Sequence, residues 1–225
     1  MAAASFVAPL PPLRRHQLVR LAPDGWAHVL AAPWDAALRP CLALWAARAL
    51  PLVVTSQSTS AIEAIAAGLP APLQWQRRRL PLAVSPRHVL RLDTFPDAQA
   101  VTRLLPPGSR VEWRALLATL AEAGCWPCAY GGYGWQALTR LAYVHAGSDL
   151  DLLLPVTTPA QADAVVRALS TAPWNGPRLD GELLFADGAA VAWREWAAYR
   201  AGRVAQVLVK RLRGAALETP RAEAA

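Results

Sequence analysis

The chain has 225 residues, 54% of them apolar, and its 23 basic side chains outnumber 16 acidic ones for a net charge of +7 and a pI near 10.1. That length suffices for one large domain or two small ones, and no uninterrupted apolar run reaches the roughly 18 residues of a bilayer span; the best stretch, Cys41 to Val54, is broken by Arg48. Three cysteines, an odd number, argue against a disulfide framework. Lys210 is the only lysine, so arginine carries the positive charge, a bias that fits a GC-rich genome as well as an acidic partner such as polyphosphate, nucleic acid or a carrier protein.

In chain order, Met1 to Leu13 place no positive charge ahead of their apolar part. Arg14 and Arg15 come after it, so the segment does not read as a signal peptide and the cytoplasm is the expected compartment. Trp34, Leu38, Leu42 and Trp45 recur at helical spacing within residues 29–48, with Pro40 interrupting. Residues 50–55, 73–76 and 79–84 predict short strands divided by proline and glycine, which makes residues 1–105 a small α+β module, a candidate for docking carrier protein or substrate. Arg77, Arg78 and Arg79 could grip phosphate or an acidic protein face with their guanidinium forks, and read equally as a solvated edge-strand charge run.

Pro106-Pro107-Gly108 marks the expected boundary with a second domain, 106–225. Ser109 should cap a helix over 111–122, with Glu112 completing a capping box and Gly124 ending the helix. Cys125-Trp126-Pro127-Cys128 has CxxC spacing, yet zinc would need two further ligands and no histidine stands at ligand spacing, so buried thiols are the reading. Tyr130 to Gly134 predicts a strand end and glycine turn, and 135–141 the start of a helix.

Residues 145–154 read as a strand carrying Gly147-Ser148-Asp149-Leu150-Asp151-Leu152-Leu153-Leu154. Alternation puts Asp149 and Asp151 on one side and Leu150 and Leu152 on the other. Two parallel carboxylates repel unless a cation lies between them, and Mg²⁺ favours carboxylate oxygens together with substrate phosphates, so the pattern predicts metal-assisted transfer at phosphorus. A solvated turn with two acids would not run on into three leucines. Thr158-Pro159 then caps a helix to about residue 169, 178–185 and 189–193 form a hairpin around Asp187-Gly188, and 204–209 make a last strand before a frayed tail beyond Arg213.

This order of elements resembles the nucleotidyltransferase fold of polymerase-β type, which implies an α+β chain: a small N-terminal α+β module followed by a nucleotidyltransferase-like mixed-sheet domain. Asp149 and Asp151 match that fold's Asp-x-Asp pair. Gly131-Gly132 stands at its glycine-serine turn with glycine in place of serine and a longer gap to Asp149, leaving backbone N–H groups at a helix start to hold an anion.

A narrower resemblance covers most of the chain. Tyr130-Gly131-Gly132-Tyr133-Gly134-Trp135-Gln136-Ala137-Leu138-Thr139, Ser148 to Leu153, Asp180-Gly181-Glu182-Leu183, Trp193-Arg194-Glu195-Trp196, and Gly68-Leu69-Pro70-Ala71-Pro72 with Arg77-Arg78-Arg79-Leu80 are similar to the phosphoribosyl-dephospho-CoA transferases of malonate decarboxylase. The resemblance implies transfer of a phosphoribosyl-dephospho-CoA group from triphosphoribosyl-dephospho-CoA to a serine of the acyl carrier subunit of malonate decarboxylase, with release of pyrophosphate. Asp149 and Asp151 would be catalytic and would hold Mg²⁺, with Mn²⁺ as the alternative. Glu182, ahead of Asp180, would be the third metal ligand.

Substrate contacts would come from Gly131, Gly132, Gln136, Ser148, Arg77, Arg78 and Lys210, with Arg194 a further candidate and Trp135 either an adenine platform or core. Two rival readings stay open: an enzyme that transfers AMP, or a non-catalytic basic protein that grips nucleic acid. Both aspartates weigh against nucleic acid, because they would repel a phosphate backbone in the absence of metal. No membrane partner is expected.

Overall fold

The computed structural model describes residues 11–58 and 64–220 and divides into two compact units between Thr94 and Phe95. The fold is α+β. Residues 1–10, most of the segment read as lacking signal-peptide character, lie outside the described residues, and no helix among the described residues is long and apolar enough to cross a membrane.

The first unit is an antiparallel sheet with two helices. Its elements are β1 (Leu18–Leu21), α1 (Pro23–Ala31), α2 (Arg39–Ala47), β2 (Leu52–Val54), β3 (Ile65–Pro70), β4 (Arg79–Val84) and β5 (Val89–Asp93), with strand order β4-β3-β2-β1-β5. The single helical pattern expected over 29–48 is two helices. Each carries a proline in its first turn, where a missing N–H breaks no hydrogen bond, so Pro40 helps to start α2 rather than interrupting a longer helix. The strand expected at 73–76 is a 3₁₀ turn, Leu73–Trp75, because Gln76 and Arg77 adopt φ of 57° and 56°, which a strand does not allow. Leu18, Leu42, Trp45, Leu52 and Leu69 are fully buried at the centre of this unit.

The second unit continues with α3 (Arg110–Glu122), β6 (Cys128–Ala129), α4 (Gly131–Thr139), β7 (Leu150–Val156), α5 (Pro159–Thr171), β8 (Leu179–Phe185), β9 (Ala190–Ala192), α6 (Trp193–Arg200), β10 (Val207–Arg211) and β11 (Gly214–Glu218). Its sheet runs β11-β10-β9-β8-β7-β6, and β7 and β8 pair in parallel across the α5 crossover while the other neighbours are antiparallel. Leu150, Leu152 and Leu154 of β7 and Leu183 of β8 are fully buried in one core with Trp113 and Leu120 of α3 and Val165 of α5.

Several local expectations hold. Thr158 Oγ1 accepts the Gln161 N–H at 3.1 Å with Pro159 opening α5, Gly124 follows the end of α3, and β8 and β9 form the hairpin around Asp187-Gly188. Others are corrected. Pro106-Pro107-Gly108 is no boundary but sits inside the second unit, where Pro107–Ser109 makes a 3₁₀ turn into α3. The capping box does not form: Ser109 Oγ donates back to Pro106 O, and the Glu112 carboxylate accepts from the backbone and side-chain nitrogens of Asn175. β7 begins only at Leu150, after a turn. The stretch from Trp193 is helical, and residues 214–218 form β11 against β10 where a frayed tail was expected.

Candidate active site

The pleat of β7 separates its two faces. Leu150, Leu152 and Leu154 go into the core, which leaves Asp151 on the opposite face with Asp149 just ahead of the strand. The parallel register sets Asp151 beside Asp180 and Leu153 beside Glu182, so β8 adds two carboxylates to the same face.

The start of α4 closes over Asp151. Gly131 has φ +57°, and a Cβ there would lie 1.9 Å from Asp151 Oδ2, so only glycine fits; the Tyr130 N–H donates to Asp151 O at 3.0 Å. Gly132 differs. A Cβ there would meet only Tyr143 O at 3.8 Å, so the position that carries serine in the resembling fold has room for a side chain.

Asp151 feels both its burial and this crowding of carboxylates. Burial, then the charges of Asp180, Asp149 and Glu182, push the Asp151 carboxyl up to about 6, and the nearby Arg178 guanidinium opposes the rise. Arg178 spans two of the acids, with Nη2 3.2 Å from Asp180 Oδ2 and Nη1 3.9 Å from Asp149 Oδ2, on a side chain that is 61% exposed. Lys210 reaches from β10 past β9 to place Nζ 2.8 Å from Glu182 Oε1, in a pair whose carboxylate is only 7% exposed.

The second unit therefore gathers Asp149, Asp151, Gly131, Glu182 and Lys210, with Gly132 in the first turn of α4. Sequence reasoning missed Arg178. Two expected substrate contacts also do local structural work. Gln136 Oε1 accepts the N–H groups of Tyr143 and Val144 at 3.0 and 2.9 Å, and Ser148 Oγ accepts the His145 N–H at 3.0 Å, closing the turn before Asp149. Trp135 is buried edge-on against Phe95, with ring centroids 5.3 Å apart, which makes it core and not an adenine platform.

Arg194 donates to Leu179 O at 2.8 Å and lies over the Trp193 ring. Burial pushes the Cys125 thiol up to about 12 and the Cys128 thiol upward, keeping both in the unreactive protonated form. Arg77 and Arg78 are exposed in the first unit, where Arg78 pairs with Asp35 at 3.2 Å.

Among the described residues no three His, Cys, Asp or Glu side chains are grouped to hold a metal ion unaided. The donor set suits a substrate-completed site, because Mg²⁺ commonly takes one or two carboxylates and fills its octahedron with phosphate oxygens and water. Burial first, and then the neighbouring carboxylates, push the Asp151 carboxyl up, and a cation held there would oppose both. Glu182, expected as the third ligand, has Oε1 engaged by Lys210 Nζ at 2.8 Å.

Residues 91–221 match the family described as phosphoribosyl-dephospho-CoA transferase MdcG, C-terminal domain, and residues 14–95 match its N-terminal domain, the two ranges meeting where the chain divides. A phosphoribosyl-dephospho-CoA transferase of Xanthomonas euvesicatoria pv. vesicatoria (strain 85-10) is 39% identical over 203 residues, covering 87% of this chain and 89% of its own. Proteins of the same name from Xanthomonas campestris pv. campestris (strain 8004) and Bradyrhizobium diazoefficiens are 36% and 34% identical, over 90% and 82% of this chain and 92% and 82% of theirs. No solved structure matches the chain. The chain belongs to the phosphoribosyl-dephospho-CoA transferase family.

Proposed function

We propose that this member of the family is a nucleotidyltransferase-type enzyme that moves the phosphoribosyl-dephospho-CoA group of triphosphoribosyl-dephospho-CoA onto a serine of the malonate decarboxylase acyl carrier subunit. The observation that supports it most is the carboxylate face of β7 and β8 under the glycine start of α4, in a chain that matches the family through both of its domains.

The serine oxygen would form a bond to the α-phosphorus as the bond to the departing pyrophosphate breaks in line with it. Asp149 and Asp151 would hold Mg²⁺ or Mn²⁺, which when bound neutralises phosphate charge and lowers the pKa of the attacking hydroxyl. One of the two carboxylates, Asp151 in this reading, would take the serine proton and pass it to solvent. Backbone N–H groups at Gly131 and Gly132 would orient the phosphates from the positive end of α4. Lys210 keeps Glu182 compensated on the same face and supplies positive charge at the pyrophosphate end. Arg77 and Arg78 would meet the acidic surface of the carrier.

The test is to mix the protein with Mg²⁺, triphosphoribosyl-dephospho-CoA and the apo carrier and record the carrier's intact mass. The expected result is a gain equal to the prosthetic group. No gain would overturn the reading, and a gain only when ATP replaces the precursor would make the chain an AMP transferase. In the same assay, Arg77→Ala with Arg78→Ala should raise the apparent KM for carrier about tenfold at low salt, as loss of charge-assisted contacts does; an unchanged KM would remove those arginines from the docking surface.

A further inference from the structure

We infer that Arg178 is the site's resident counter-ion: it bridges Asp149 and Asp180 before a divalent cation arrives, then turns to the phosphates of the incoming triphosphate. The inference rests on the phosphoryl-transfer reading of this face and adds a substrate-binding residue to it.

Three observations carry the inference. First, the backbone of Arg178 is fixed at the mouth of the site, since its carbonyl accepts the N–H of Leu150, the residue between Asp149 and Asp151, at 2.9 Å. Second, its guanidinium is tied by charge alone to Asp149, at 3.9 Å, and by one hydrogen bond at 3.2 Å to Asp180, with 61% of the side chain in solvent. Exposed pairs of that kind are weak and exchange readily. Third, the face holds Asp149, Asp151, Asp180 and Glu182, and Lys210 is already committed to Glu182.

A divalent cation entering between Asp149 and Asp151 would compete with Arg178 for the Asp149 carboxylate. The displaced guanidinium would then lie beside the phosphates that complete the metal's coordination. Its planar fork suits phosphate oxygens as well as it suits carboxylates. One side chain would thus oppose the metal in the empty site and favour the triphosphate in the filled one.

That double role predicts changes of opposite sign. Mn²⁺ binding to the full-length protein is measured from the electron paramagnetic resonance of the free ion, first alone and then with inorganic pyrophosphate. Arg178→Gln should bind Mn²⁺ about threefold more tightly, the scale of losing an exposed ion pair. It should bind pyrophosphate in the presence of Mn²⁺ about tenfold more weakly, the scale of losing a charge-assisted contact. Arg178→Lys should stay close to the wild type for Mn²⁺ and recover part of the pyrophosphate affinity.

A residue with only a structural role would weaken both affinities or move neither, and either result overturns the inference. Wild-type Mn²⁺ binding that Asp149→Asn leaves unchanged overturns it too, by removing the metal site itself. Because both measurements read binding, the opposed pattern without any carrier modification would leave Arg178 in this role and overturn the transfer reading. Carrier modification without the opposed pattern would overturn the Arg178 inference alone.

Discussion

The start and the middle of β8 carry the same chemistry in different surroundings. At its mouth Arg178 holds Asp180 and Asp149 with most of its side chain in water, whereas deeper in the strand Lys210 holds Glu182 at 2.8 Å with the carboxylate 7% exposed. Burial decides which pair can open. An exposed pair exchanges its partner for a small free-energy difference, while separating a buried pair strands a charge in a medium that solvates it poorly. The mouth is thus suited to trade ions with a substrate, and the interior to hold the strand face in shape.

The largest expected effect breaks the interior pair. Lys210→Ala should leave Glu182 buried and uncompensated and destabilise the protein by about 3 kcal/mol, read as a lower denaturant midpoint, and Glu182→Gln on that background should restore most of the loss. A midpoint unchanged by Lys210→Ala would mean that the pair contributes nothing.

The next effect is linked to pH. The folded carboxyl of Asp151 lies near 6, above its ordinary 3.8, so the folded state binds the proton more tightly than the unfolded chain. Its contribution to stability is therefore fully present below about pH 4 and is lost as pH rises through 6. In the absence of divalent cation, Asp151→Asn, which carries no charge, should be more stable than the wild type by about 2 kcal/mol at pH 8, with the gain gone at pH 4. A gain equal at both pH values would contradict the assignment. The smallest effect is at the mouth: Arg178→Gln should change stability by less than about 0.5 kcal/mol, and a loss as large as that of Lys210→Ala would erase the contrast between the two pairs.

The same contrast explains what could be read from the sequence. Asp149 and Asp151 were legible because strand alternation is local, and α5 and the β8–β9 hairpin because Thr158-Pro159 and Asp187-Gly188 act within a few residues. Arg178 was not, because the parallel pairing of β7 with β8 across α5 brings it to Asp149, and no short-range pattern encodes that register.

The first unit hid β3 for a related reason. Ala66-Ala67-Gly68 has weak strand propensity and becomes a strand by pairing with β2 on one side and β4 on the other. Asp180-Gly181-Glu182 was recognised as a motif without its physical cause: Gly181 has φ +149°, and a Cβ there would fall 2.1 Å from Leu152 O, so glycine lets β8 lie close against β7. Gln136 and Ser148 read as polar site residues in one dimension, and their local structural work is not visible there. In three dimensions their oxygens hold the loop and turn that lead into β7.

The most direct test of the carboxylate face follows pyrophosphate release and carrier mass together in Asp149→Asn and Asp151→Asn, with thermal unfolding recorded on the same samples. Both variants should fold, Asp151→Asn melting above the wild type at pH 8 once divalent cation is removed with chelator, and neither should release pyrophosphate or modify the carrier. Turnover at the wild-type rate in both folded variants would contradict the account.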